Sequence, residues 1–414
     1  MIKQAAAIRL LKSWIASVIL ALCAVASFNI LMDPYLLYGS PRIPHVNEKK
    51  DAADSNQHMI KAYEISRQPA RSLILGSSPA DFGLDSRSPV WPVRERPAYN
   101  LALPMSGPYV HLRFLQHAMA QAHVSTVVIG LEFYYFMGIY EEKESFLQFE
   151  QRLSVRADGS VNTSRRREFI QDYLGATLSF NTLIDSIVTL MSNLRGQPSD
   201  LVEGNWQWRY FERLTSGVGP DPVFTLSDLH RIRELSGKKP DTGSMRQVES
   251  ILNLCDSQGT KVILFIEPAH ADQLEILDLL GDWDLYENWI RELVTVASRH
   301  PPRPGFDGVS FFDFSGYSRY STESVSKGGE LLNWFWECCH YTKALGDKLT
   351  RRIFGQGEQD FGELITPGDV EQHLADVRLQ RQLYRQSHQT DVQRVRDLYR
   401  LVSGAQRGGP PSAP

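Results

Sequence analysis

The feature that most limits the fold is a set of short apolar runs that recur after residue 70 and alternate with helical patterns. They are "SLIL" (Ser72–Leu75), "AYNLAL" (Ala98–Leu103), "STVVIGLEF" (Ser125–Phe133), "TKVILFIEP" (Thr260–Pro268) and "DGVSFFDFSG" (Asp307–Gly316). A short, mostly apolar run, of which "SLIL" before Gly76 and two serines is the plainest, reads as a buried parallel strand entering a loop. Between the runs lie "PYVHLRFLQHAMAQAH", which opens on a first-turn proline, and "SMRQVESILNLCDSQG", which stops at a glycine. About five strands separated by helices imply an α/β fold, a mostly parallel sheet covered by helices on both faces in three layers.

The amino terminus follows another rule. "SWIASVILALCAVASFNILM" (Ser13–Met32) carries no charge, with Lys3, Arg9 and Lys12 before it and Asp33 after it. Twenty residues at about 1.5 Å rise span about 30 Å, the hydrocarbon thickness of a bilayer. The basic flank stays cytoplasmic, which sends the rest of the chain across the membrane. A signal peptide cleaved near "ALCAVAS" and a buried soluble helix are the competing readings. The formal net charge of −4 excludes a general nucleic-acid binder. Of the four cysteines, Cys23 falls in the apolar segment, leaving Cys255, Cys338 and Cys339, at most one internal pair.

The expected organisation over the 414 residues is a cytoplasmic stub and transmembrane anchor (1–36) and a connector (37–69). An α/β domain (70–355) follows, with an insertion at about 140–240 that contains the aromatic stretch "EGNWQWRYFERLTSGVGPDPVF". A charged helical extension (356–403) and a disordered tail (404–414) end the chain. The insertion reads as a cap over the sheet.

Two segments can carry chemistry. Gly76-Ser77-Ser78 follows the first strand, and ligands of open α/β sheets bind at the carboxyl ends of strands. The stretch "NWFWECCHY" (Asn333–Tyr341) follows the last strand by a loop and holds His340 three residues after Glu337. A serine nucleophile needs an imidazole to take its proton, and the imidazole needs an acid that fixes its tautomer. Ser78, His340 and Glu337 can fill these roles. Ser77 is the alternative nucleophile, and Asp313, at the end of the last strand, is the rival acid.

Here the chain resembles the SGNH (GDSL-like) hydrolase superfamily, and more closely its membrane-anchored bacterial relatives of alginate O-acetylation and teichoic acid D-alanylation. The resemblance covers about residues 70–355 and rests on "LILGSSPADFGLD", "YNLALPMSGPY", "VVIGLEFYYF" and "FDFSGYSRYSTE…WFWECCHYTKALGD". It implies a flavodoxin-like core, a Ser78 nucleophile, a His340 base and a Glu337 acid where Asp-x-x-His is usual. It implies an oxyanion hole of the Ser78 and Gly107 backbone N–H groups. The usual Gly-x-Asn-Asp is replaced by "GLEF", and loss of one oxyanion donor costs roughly 10²–10³ in rate. The resemblance further implies a serine esterase or O-acyltransferase on the periplasmic or outer side of a bacterial inner membrane. Its substrate would be an acylated glycan or exported polysaccharide, its partners other envelope assembly proteins, and it would need no cofactor. A non-catalytic scaffold or carbohydrate-binding component is the reading from another class.

Other readings of "NWFWECCHY" are a zinc site on Cys338, Cys339 and His340 with Glu337 as a further candidate ligand, a redox pair, and a plain aromatic core. Adjacent cysteines suit neither the usual zinc spacing nor C-x-x-C redox chemistry, so no metal is expected. Asn100, Glu132, Glu267 and His270 stand at or near strand ends and are expected to line the pocket. His111 and His117, six residues apart on one helix, share no face.

Overall fold

The computed structural model describes residues 2–139, 142–196, 214–325 and 329–407. The first half of the aromatic stretch of the insertion (203–213) and the last seven residues of the tail therefore lie outside the described residues. The chain forms two compact units, the first made of Met1–Gln68 with Phe149–Glu203, the second of Pro69–Gln148 with Gly204–Pro414.

The first unit is helical. Helix α1 (Ile2–Met32) contains Gln4–Met32, long and apolar enough to cross a membrane. Helix α2 (Gln57–Arg67) follows a polar connector. Beyond α5 (Glu142–Glu150), the unit resumes with α6 (Arg165–Leu178) and α7 (Phe180–Leu194), which meet at a 57° bend. Leu37, Met59, Tyr63 and Ala176 form its small core. The expected insertion is thus divided. Residues 149–203 group with the anchor and connector, and the part after 213 belongs to the second unit.

The second unit is built on a six-stranded sheet of order β2-β1-β3-β4-β5-β6. The strands are β1 (Ser72–Leu75), β2 (Ala98–Asn100), β3 (Thr126–Leu131), β4 (Lys261–Ile266), β5 (Val309–Asp313) and β6 (Glu363–Leu364). The first five pair in parallel, and only β6 runs antiparallel, against β5. Burial of every residue of β1 and β3 explains their unbroken apolar sequence. The strand order reverses at β1, and in open α/β sheets ligands bind at such a point, beside the carboxyl ends of the strands, here β1 and β3.

Three helices carry or support the residues at this end of the sheet. The six-residue α3 (Ser78–Gly83) starts two residues after β1. Helix α8 (Pro220–Leu235) packs on α10 (Ala271–Leu280). Helix α12 (Lys343–Ile353) packs on α3. That last contact depends on glycine: a Cβ at Gly346 would lie 1.8 Å from the Gly83 carbonyl oxygen, and one at Gly83 would lie 1.9 Å from the Tyr341 ring. The helix α4 (Pro108–Met119) packs against α9 (Thr242–Gln258), and α11 (Trp283–Ser298) against β5. The carboxyl-terminal helices α13 (Val370–Ser387) and α14 (Gln389–Arg407) belong to this unit, and α14 packs on α8 and α10.

Candidate active site

"NWFWECCHY" folds as a clasp. Phe335 and Tyr341 form an antiparallel bridge, and the Trp336 N–H donates to the His340 carbonyl at 2.9 Å. The Thr342 N–H donates to the Trp334 carbonyl at 2.8 Å, and the Thr342 side chain caps α12. Phe335 and Tyr341 are buried among the core residues of the sheet, as the aromatic spacing suggests. Glu337 turns back into the clasp and accepts from the backbone N–H groups of Cys339 (3.1 Å) and His340 (2.6 Å). The same oxygen, Oε1, accepts from His340 Nδ1–H, and Oε2 accepts from the Ser227 hydroxyl.

The far nitrogen of the ring, His340 Nε2, lies 2.8 Å from Ser78 Oγ. Hydrogen bonds therefore join a carboxylate, an imidazole and a hydroxyl brought together from residues 78 and 337–340. The rings of Phe82, on α3, and His340 pack edge-to-face with centroids 5.3 Å apart. Burial raises the Glu337 carboxyl, but His340, Ser227 and Arg231 outweigh it and hold the group at about 2. Glu337 is buried, whereas Ser78 and His340 are each partly exposed. Nucleophile and base candidates thus each keep some exposure, and the acid behind them is buried.

The alternatives separate cleanly. The Ser77 hydroxyl is buried and donates to Glu132, so the hydroxyl facing the imidazole is that of Ser78. Asp313 is not near His340 in the hydrogen-bond network. Its Oδ2 meets His373 Nε2 at 2.8 Å, and its Oδ1 accepts from the Ser315 N–H and hydroxyl. The physical reason is the sheet edge: β6 brings Glu363, and α13 brings His373, onto the end of β5.

The expected pocket residues divide. Asn100 is fully buried and serves as a brace, not a wall. Its Nδ2 donates to the carbonyls of Ala80 (3.0 Å) and Leu84 (2.8 Å), and its Oδ1 accepts from the Ala102 N–H. It thereby ties the serine-bearing helix to β2. His270 is also buried. It caps α10, bonds the Glu323 carbonyl at 2.8 Å and sits 3.2 Å from Asp272 in a network with Asp228 and Arg394.

Glu132 and Glu267 do stand together, beside a cavity of about 20 Å³, close to the volume one water needs. Burial pushes both carboxyls up, and Glu132 raises Glu267 further. Glu267 accepts from the Tyr341 hydroxyl at 2.9 Å, while its Oε1 finds no partner among the described residues and presses on Gly130. Gly107 caps the start of α4. Its neighbour Ser106 donates to the Gly76 carbonyl at 3.2 Å, which sets that loop beside the turn carrying Ser78.

Two residues of α8, Ser227 and Arg231, belong to the site although sequence reasoning passed over them. They are four apart and so share one helical face. Arg231 lies over the Tyr134 ring at 3.8 Å and donates to Cys339 Sγ at 2.8 Å. The ligand atoms of Glu337, Cys338 and Cys339 fall within 4.8 Å of one another. Yet Glu337 is committed to His340, a guanidinium faces the Cys339 sulfur, and burial holds the Cys338 thiol protonated. This donor set suits a hydrogen-bonded wall better than a cation.

Compared with known proteins, the chain matches no family model and no curated protein.

Proposed function

We propose that the protein is a membrane-anchored, SGNH-like serine esterase or O-acyltransferase. The observation that carries this reading is the hydrogen-bonded series Glu337, His340, Ser78, with the last two partly exposed. Ser78 Oγ attacks an ester carbonyl while His340 Nε2 takes its proton. Glu337 holds the Nδ1 proton and stabilises the imidazolium. The imidazolium then protonates the leaving alkoxide as the acyl carbon–oxygen bond breaks, leaving an acyl-Ser78 ester. Water or an acceptor hydroxyl reverses the sequence and frees the serine. The backbone N–H groups of Ser78 and Gly107 would hold the oxyanion. Ser78 is the first residue of α3, where a backbone N–H has no acceptor within the helix.

The finer features follow from the same resemblance: helices covering both faces of the sheet, the second unit on the periplasmic side of a bacterial inner membrane, and an acylated cell-envelope or exported polysaccharide as substrate. The second reading, a non-catalytic glycan-binding or scaffold component, is favoured by one observation. Glu132, a carboxyl, occupies the end of β3 where the superfamily supplies an asparagine donor.

A serine-directed fluorophosphonate applied to the full-length protein in detergent separates the two. Labelling of the wild type and of Ser77→Ala, with none of Ser78→Ala, is the expected result. Equal background labelling of all three would leave the scaffold reading standing.

A further inference from the structure

Helix α7 is inside out. Its buried stripe is polar: Thr182, Ser186, Thr189 and Asn193, spaced four, three and four residues apart. Its exposed stripe is apolar, including Phe180 (72% exposed), Ile187 (47%) and Leu194 (62%). A helix on a water-soluble domain does the reverse and turns its apolar stripe to the core. Helix α6 continues the pattern, with Phe169, Ile170, Leu174 and Leu178 all exposed.

The charges are arranged to match. Every acidic side chain of the pair is engaged by the protein: Glu168 and Asp172 with Arg152, Asp172 also with Tyr63, and Asp185 with Tyr35. The exposed cations lie at the outer ends, Arg166 and Arg167 at the start of α6 and Arg195 just past α7. Long cationic side chains in such places reach the headgroup layer while their stems stay in apolar surroundings.

The apolar face is continuous with the anchor. Both helices pack on α1, and the contact lies near its carboxyl end. There Asn29 donates to the Thr177 carbonyl at 3.0 Å and the Tyr38 hydroxyl to the Tyr173 carbonyl at 2.9 Å. Neither helix spans a bilayer alone, since the 15 residues of α7 make about 22 Å. An in-plane position suits a helix pair with one apolar face, a polar opposite face and cations at its ends.

We propose that α6 and α7 form a second membrane contact, lying in the leaflet from which α1 emerges with their apolar face against the lipid acyl chains. The anchor then fixes the protein at a point, and the helix pair fixes its tilt and rotation on the membrane.

The test uses full-length Cys23→Ser protein in vesicles of phosphatidylethanolamine and phosphatidylglycerol, with a nitroxide on Ile184→Cys, Ile187→Cys or Met191→Cys in turn. Arg246→Cys serves as the aqueous reference, and protein without an added cysteine corrects for the native thiols. Collision rates with oxygen and with a water-soluble nickel chelate give depth. Labels at the three α7 positions are expected about 5–10 Å inside the headgroup boundary, with oxygen favoured over the chelate. The same oxygen-to-chelate ratio as the reference would overturn the proposal. So would protection from both reagents with dipolar coupling between labels, since that result puts a second copy on the face.

Discussion

The acid beside His340 can be tested by a pair of substitutions that differ only in which carboxyl they neutralise. Glu337→Gln keeps an oxygen for the Cys339 and His340 N–H groups but removes the charge that stabilises the imidazolium. The Glu337 carboxyl is held at about 2 against an ordinary 4.5. That difference corresponds to about 3 kcal/mol of preference for its charged form. If most of it is spent on the charged imidazolium, the loss slows acylation roughly 10²-fold. The assay is the pseudo-first-order rate of fluorophosphonate labelling of Ser78, which needs no knowledge of the natural substrate. Asp313→Asn should leave this rate within about twofold, because Asp313 bonds His373 and not His340. An unchanged rate in Glu337→Gln, or a large loss in Asp313→Asn alone, would refute the assignment drawn from the clasp.

The His373 cluster gives a pH signature of its own. Burial lowers its basicity, but Asp313 and Glu363 outweigh burial and raise it from 6.5 to about 9. A raised folded value means stabilisation present in full below about 6.5 and lost as pH climbs through about 9. The thermal midpoint of wild type should therefore fall between those limits by an amount worth about 2–3 kcal/mol, and the fall should be absent in His373→Gln. In Gly346→Ala, the new methyl meets the Gly83 carbonyl, so α12 must move off α3. A loss of about 1–3 kcal/mol in stability and slower Ser78 labelling are expected, read by differential scanning fluorimetry and the same probe.

The parallel strands were legible because each is a short run of buried apolar residues, and β1 occupies the residues its sequence suggests. Strand β6 was not legible, since it has two residues, both exposed, and pairs only because the chain returns along β5. Ser78, His340 and Glu337 could be found from spacing and position after strands. The role of Asn100 could not, because its acceptors lie 16 and 20 residues back, and only the fold brings them to it. Ser227 and Arg231 lacked any local signal, as an ordinary helical face carries both. The true partner of Asp313 sits on a helix that reads in isolation as a surface extension.

The first unit is assembled from two stretches of chain with three strands of the sheet encoded between them. A chain shortened to begin after α1 would still carry α6 and α7, now without the helix on which both pack. Removing the anchor would therefore not yield a soluble second unit with a clean surface. It would leave the exposed apolar residues of α6 and α7, among them Leu174, Phe180 and Leu194, in water on an unsupported helix pair, a route to aggregation during purification.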